Sequence, residues 1–301
     1  MTMRLKKLLF PVVFAVVCFS CKKDEEGDKG PKIRPVTGSS SRFINKIFEY
    51  SPAPGQFIGE STGTPEGANS IVGTRSGLVS LGAYGGYIVF GFDHSILNQT
   101  GADLAIYGNP IPEPKAWSEP GVVMVSQDEN GNGLPDDNWY ELAGSAYVSP
   151  VTIRNYKITY YNPKGISRVA WKDSKGQTGA VEINAFHDHS YYPSFAANQD
   201  SLTFEGTLLV PTFGEQDGIY VNQALVWGYA DNYSTDDTKD PYAKNQYNSF
   251  DLSWAIDKNG VPVTLKAIDF VKVYTGQNSV GSDIMGEVST EIGGAADLNM
   301  K

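Results

Sequence analysis

The residues best suited to chemistry lie in one stretch, SQDENGNGLPDDNWYE at 126–141. It packs five acidic residues, three asparagines and two glycines into sixteen positions. With Asp128 as position 1, Asn130 falls at 3, Asn132 at 5, Gly133 at 6, Leu134 at 7 and Asp136 at 9, the D-x-N-x-N-G spacing of a calcium loop. Calcium takes several hard oxygens at about 2.3–2.6 Å, and alternate residues of a tightly curled loop aim theirs at one centre. Gly133 permits the sharp turn and the Leu134 carbonyl offers a backbone ligand. The twelfth position, where a bidentate glutamate belongs, is Trp139, so Glu141 and Asp137 stand as candidates to complete the shell. The expectation is a structural calcium ion in a loop that joins two strands. A polar Asn/Gly/Asp hairpin without metal is the plainer alternative.

Other constellations are sparser. His187 and His189 in HDHSYYP would share one face of a strand, as zinc ligands can, or simply face solvent. The third histidine is His94. No G-x-S-x-G, Gly-rich phosphate loop or H-E-x-x-H occurs, so no enzyme is expected. Trp227 and Trp254 sit in apolar runs and read as core. Trp117 lies in a Pro-rich loop, and Tyr191 and Tyr192 precede Pro193. These three are the candidate ligand-contact aromatics, as flat platforms for a small ligand or as cover for one end of the fold.

The N-terminus supplies an address. Arg4, Lys6 and Lys7 precede the apolar run LLFPVVFAVVCFS, which is too short to span a bilayer as a helix. The run ends at Cys21 with the small Ser20 before it, the pattern of a bacterial lipoprotein whose cysteine is lipidated after cleavage. Residues 1–20 are then a signal peptide and Cys21 an outer-membrane lipid anchor, the chain's only expected link to the membrane. Lys22, Lys23, Asp24, Glu25 and Glu26 resemble the surface-export signal of Bacteroidetes lipoproteins, which implies an outward-facing protein. Cys18 is the only other cysteine, so the mature domain has neither a disulfide nor a nucleophilic thiol. Without residues 1–20 the chain carries 21 basic and 34 acidic residues, a formal charge of −13. Such a surface disfavours nucleic acid and suits cations or plain solubility.

These residues must be positioned by strands. Residues 21–41 are charged, then rich in Gly, Pro and Ser, and read as a flexible tether. From 42 to 301 the segments 86–93, 121–128, 156–161, 207–213, 223–230 and 268–275 alternate with period two, and turn signals at 162–165, 172–176 and 257–260 separate them. No long amphipathic helix stands out. The fold class is all-β, a single jelly-roll-like β-sandwich.

Six phrases carry a resemblance: FEYSPAPGQFI (48–58), LGAYGGYIVFGFDHSI (81–96), SEPGVVMVSQDENGNGLPDDNWYELAGS (118–145), NYKITYYNP (155–163), WGYADN (227–232) and SWAIDKNGVPVTLKAIDFVKVYTGQN (253–278). Together they resemble a family of Bacteroidetes cell-surface lipoproteins associated with cobalamin-uptake loci beside TonB-dependent transporters. The resemblance spans residues 42–298 and includes the acidic loop. It implies a surface lipoprotein that captures cobalamin or another small nutrient for such a transporter. A glycan-binding or adhesion module on the same surface is the alternative.

Overall fold

The computed structural model describes residues 32–281 and 284–300. The expected signal peptide, the expected lipidation at Cys21 and the expected tether up to residue 31 lie outside the described residues. Within them the chain forms β1 (Lys46–Ser51), β2 (Val79–Ser80), β3 (Tyr87–Leu97), β4 (Leu104–Tyr107), β5 (Gly121–Ser126), β6 (Trp139–Leu142), β7 (Ile153–Tyr161), β8 (Val169–Asp173) and β9 (Thr178–Val181). There follow β10 (Ser201–Leu208), β11 (Phe213–Gln216), β12 (Ile219–Asn222), β13 (Asn248–Phe250), β14 (Ala255–Ile256), β15 (Ala267–Thr275), β16 (Glu291–Ile292) and β17 (Gly294–Asp297). All named strand pairs are antiparallel, and helices are single turns such as Pro65–Ala68 and Tyr242–Asn245.

The frame is a six-stranded sheet in the order β1-β3-β15-β5-β6-β14. The expectation of an all-β sandwich holds. One face of that sheet presents Ile88, Phe90, Val123, Val125, Val271 and Val273. They pack against Leu104, Ile106, Phe250 and Ala295 of the smaller sheet β13-β4-β17. Burying these aliphatic and aromatic side chains, at about 25 cal/mol per Å2 of apolar surface, is the main drive for closing the sandwich. A four-stranded sheet, β10-β7-β8-β9, covers a second core built on Tyr84, Tyr156, Ile158, Tyr160 and Phe204. Tyr274 of β15 reaches this side, and its hydroxyl accepts from Thr207 N at 2.8 Å. The central strands β3 and β15 are therefore buried along nearly their whole length.

The packed chain begins earlier than residue 42. Between β3 and β15 the register jumps, so that Ile268 faces Ile96 while Phe270 faces Gly91. Asp269 lies at this irregularity, fully buried. Arg34, inside the expected flexible tether, donates to its Oδ1 through Nε and Nη2, both at 3.0 Å, and to the Phe92 carbonyl. Ser95 Oγ adds a third donor at 2.6 Å, and the Asp128 backbone N–H takes the other carboxylate oxygen at 2.8 Å. One buried aspartate thus ties the incoming chain to the first residue of the acidic loop.

Three local expectations need correction. Residues 223–230 alternate like a strand, yet they run as turns. The buried Asn232 side chain bonds both the N–H and the carbonyl of Leu225 at 2.8 Å, which takes the place of a strand partner. Trp254, expected in the core, is half-buried and packs against its edge, whereas Trp227, also expected there, is half-buried on Trp254 at 4.7 Å. The histidine pair at 187 and 189 lies in a turn, not on a strand.

Candidate functional site

The acidic loop occupies 127–138, between the paired strands β5 and β6, as the spacing required. Its start is fixed because Asp128 is buried and its N–H is held by Asp269. The Asp128 carboxylate turns the chain back on itself: Oδ1 accepts from Asn132 N at 3.0 Å and Oδ2 from Gly133 N at 2.9 Å. Gly133 adopts φ +74°, the left-handed region that glycine enters without strain. Asn130 Oδ1 accepts from Asn132 N, and Asn132 Oδ1 from Leu134 N. The Asn130 amide reaches Asp136 and Asp137 at 3.1 and 3.3 Å, and the Asn132 amide reaches both Asp136 oxygens. Asp128, Asn130, Asn132, Asp136 and Asp137 therefore gather within one turn. Their side-chain oxygens, with no thiol or imidazole among them, are of the type a hard divalent cation takes, but here the asparagine amides present nitrogen to Asp136 and Asp137.

Glu141 does not join them. It lies on β6 opposite Met124, and its side chain faces the four-stranded sheet, where Oε2 accepts from Thr207 Oγ1 at 2.6 Å. Burial pushes its carboxyl up, opposed by that hydrogen bond and by Arg154. Leu134 is half-exposed at the tip of the loop.

The three candidate contact aromatics part company. Tyr191 and Tyr192 are buried beneath the four-stranded sheet, and the Tyr191 hydroxyl accepts from Asn184 N at 3.1 Å. Neither offers a face to a ligand. Trp117 is half-buried in a small ladder with Ile111, in which each N–H donates to the other residue's carbonyl. Its ring meets Phe213 edge-on at 6.1 Å, and Phe213 stacks on Tyr220 at 5.8 Å with an interplanar angle of 17°. Phe213 and Tyr220 stand on the β11–β12 hairpin, whose turn is Asp217-Gly218 with φ of +51° and +76°, the Asp-Gly type I′ pattern. Tyr220 is 40% exposed and Ile219 48%.

The ridge sits on a buried polar network. Asn222 donates through Nδ2 to Ser118 O and to Gln277 Oε1, and its Oδ1 accepts from Thr212 Oγ1. Because side chains alternate, Ala116 and Ser118 face away from Trp117, into a cavity of about 330 Å3 shared with Pro112, Gln223, Tyr233 and Thr235. The composition of the hairpin, GEQDG between Phe213 and Ile219, signalled a turn, but nothing local signalled that its aromatics would meet Trp117.

Two groups were not legible as wholes from spacing. Glu119, Asp231 and Glu291 bring carboxylates within 4.8 Å of one another in the interior. Burial pushes Glu119 up to about 7, while burial and mutual charge push Asp231 and Glu291 well above the carboxylate range. Backbone N–H groups of Ser289 and Glu291 bond Glu119 and Asp231 at 2.9 Å. Burial thus favours the protonated forms of this cluster, and its hydrogen bonds knit β16 to the neighbouring segments. The second group joins Glu60 to His187 and His189. His94, by contrast, is buried between Asp93 and Asp297 at 2.7 and 2.9 Å, a structural pairing.

No known family model and no curated protein matches this chain.

Proposed function

We propose that this chain is a non-enzymatic, lipid-anchored surface protein that captures a small nutrient, cobalamin by the family resemblance, and presents it to a TonB-dependent outer-membrane transporter. The observation that carries this reading is the run of three aromatic rings, Trp117, Phe213 and Tyr220, the last of them exposed. Cobalamin is far larger than the 330 Å3 cavity, so it would lie across the ridge with its corrin face on the rings. Trp117 keeps its assigned role, and Phe213 and Tyr220 take the place of Tyr191 and Tyr192. Anchoring at Cys21 puts the domain where an external nutrient is met.

Calcium belongs to the same proposal. Asp128, Asn130, Asn132, Asp136 and Asp137, with the Leu134 carbonyl, would hold it, offsetting the repulsion between loop carboxylates. Its part is structural, since the loop and the ridge are built on different strands.

A glycan-binding module is the second reading, because stacked exposed rings also suit the apolar faces of sugars. Calorimetric titration with cyanocobalamin, and in parallel with a panel of oligosaccharides, separates the two. Capture ahead of a transporter requires tight binding, so a nanomolar dissociation constant, about −12 kcal/mol, is expected for cyanocobalamin. Silence with cyanocobalamin and clear heat with a glycan would replace the first reading with the second.

A further inference from the structure

We propose that Glu60, His187 and His189 form a binding site for a divalent ion of the zinc class, separate from both the acidic loop and the aromatic ridge. The three ligand atoms lie within 4.8 Å of one another, although residue 60 is far from 187 in sequence. Glu60 Oε1 stands 2.7 Å from His187 Nδ1 and 3.2 Å from His189 Nε2. Zinc binds imidazole nitrogen and carboxylate oxygen at about 2.0–2.1 Å, which sets neighbouring tetrahedral ligands about 3.3 Å apart. Seating the ion would open the Glu60–His187 pair and leave the Glu60–His189 pair almost as it stands.

The orientation of His189 is the second observation. Its Nδ1 lies 3.1 Å from the Ser190 carbonyl, which can accept a proton held there. A carbonyl behind one ring nitrogen is the usual device that leaves the other as a metal ligand. Here the other nitrogen, Nε2, faces two oxygens, Glu60 Oε1 and the Gln56 carbonyl at 2.8 Å. A bare lone pair aimed at two oxygens is repulsive. Something positive belongs between them, either a proton or a metal ion, and His187 points at the same glutamate oxygen.

The framework around the three is stiff. Glu60 sits in a tight turn where its N–H donates to Phe57 O and its carbonyl accepts from Gly63 N. The His187 N–H bonds Asn184 Oδ1 at 3.1 Å, and the His187 ring packs edge-on against Phe57 at 4.8 Å. Asn184, itself buried, donates to the Gln56 side chain and so joins the two segments. The side chains of Glu60, His187 and His189 are 39%, 21% and 29% exposed, which leaves an approach for the ion and a position for water. The mixed nitrogen and oxygen donors favour zinc over calcium, which prefers oxygen alone.

The test is titration of the full chain with Zn2+ in calcium-containing buffer, for wild type, Glu60→Gln, His187→Ala, His189→Ala and Asp128→Ala. Wild type and Asp128→Ala should bind a zinc equivalent that both histidine variants lose, with affinity at least tenfold weaker in Glu60→Gln. Thermal unfolding without zinc checks that each variant is folded. Cobalt substitution of wild type gives a readout independent of mutagenesis. Visible d–d bands without near-ultraviolet thiolate charge transfer would mark nitrogen and oxygen ligands rather than Cys18 or Cys21. Equal zinc binding in wild type and histidine variants, no binding at micromolar protein, or a cobalt spectrum dominated by thiolate would overturn the proposal.

Discussion

Asp128 does two things at once. Its backbone N–H is bound by Asp269, and its carboxylate bonds Asn132 N and Gly133 N. The first fixes where the loop begins and the second fixes how it curls. An ion that binds only this folded arrangement stabilises it by mass action, by about 2.7 kcal/mol at a hundred times its dissociation constant. Chelator is therefore expected to lower the melting temperature of wild type and to leave Asp128→Ala unmoved. A melting temperature indifferent to chelator in wild type would reduce the loop to a polar turn. The spacing from 128 to 137 was readable because every donor is local to one turn. Of the zinc-class site only the histidine pair was readable, because its glutamate arrives from a segment more than a hundred residues away in sequence.

Legibility followed the same divide among the elements. Strands β3, β5, β7 and β15 fall on segments whose period-two alternation is backed by β-branched and aromatic residues. The run 223–230 alternates equally well and is not a strand, because Asn232 satisfies Leu225 from within and Gly228 takes φ +84°. A hydrophobic pattern reports burial, and burial alone does not supply a hydrogen-bonding neighbour. Tyr191 and Tyr192 fail in the opposite sense. Two tyrosines before a proline read as an exposed loop, but the inner face of the four-stranded sheet needed cover and this loop supplies it. The β11–β12 hairpin drew no expectation from the sequence, although its Asp217-Gly218 pair is a turn signal. Its two stacked rings matter because Trp117 reaches them from another part of the chain. The tether boundary moved for a similar reason, since Arg34 finds a buried partner 235 positions away.

Across the whole molecule, a chain of net charge −10 keeps several of its carboxyls inside. Burial raises Asp240 to about 6, Glu119 to about 7 and Glu287 to about 8. Folded Glu287 thus keeps its proton to about pH 8, whereas the unfolded chain releases it near 4.5. Between those values the native state holds the extra proton. The stabilisation is complete below about pH 4.5 and is lost as pH rises through the folded value, at up to about 1.4 kcal/mol per unit for each such group. The urea midpoint should accordingly be lower at pH 8.5 than at pH 5.5, and Glu287→Gln, which mimics the protonated form, should shrink the difference. A midpoint that rises over that interval would contradict interior carboxyls held neutral.

Capture on the aromatic ridge is the central claim, and Tyr220 is its most direct probe because the ring is exposed and its removal spares the core. Cyanocobalamin should be titrated into wild type, Tyr220→Ala and Tyr191→Phe, with the melting temperature of each recorded alongside. Capture on the ridge predicts nanomolar binding by wild type and by Tyr191→Phe. Tyr220→Ala should bind at least tenfold more weakly, about 1.4 kcal/mol, with its melting temperature unchanged. Equal affinity in wild type and Tyr220→Ala, or no binding by wild type, would contradict it.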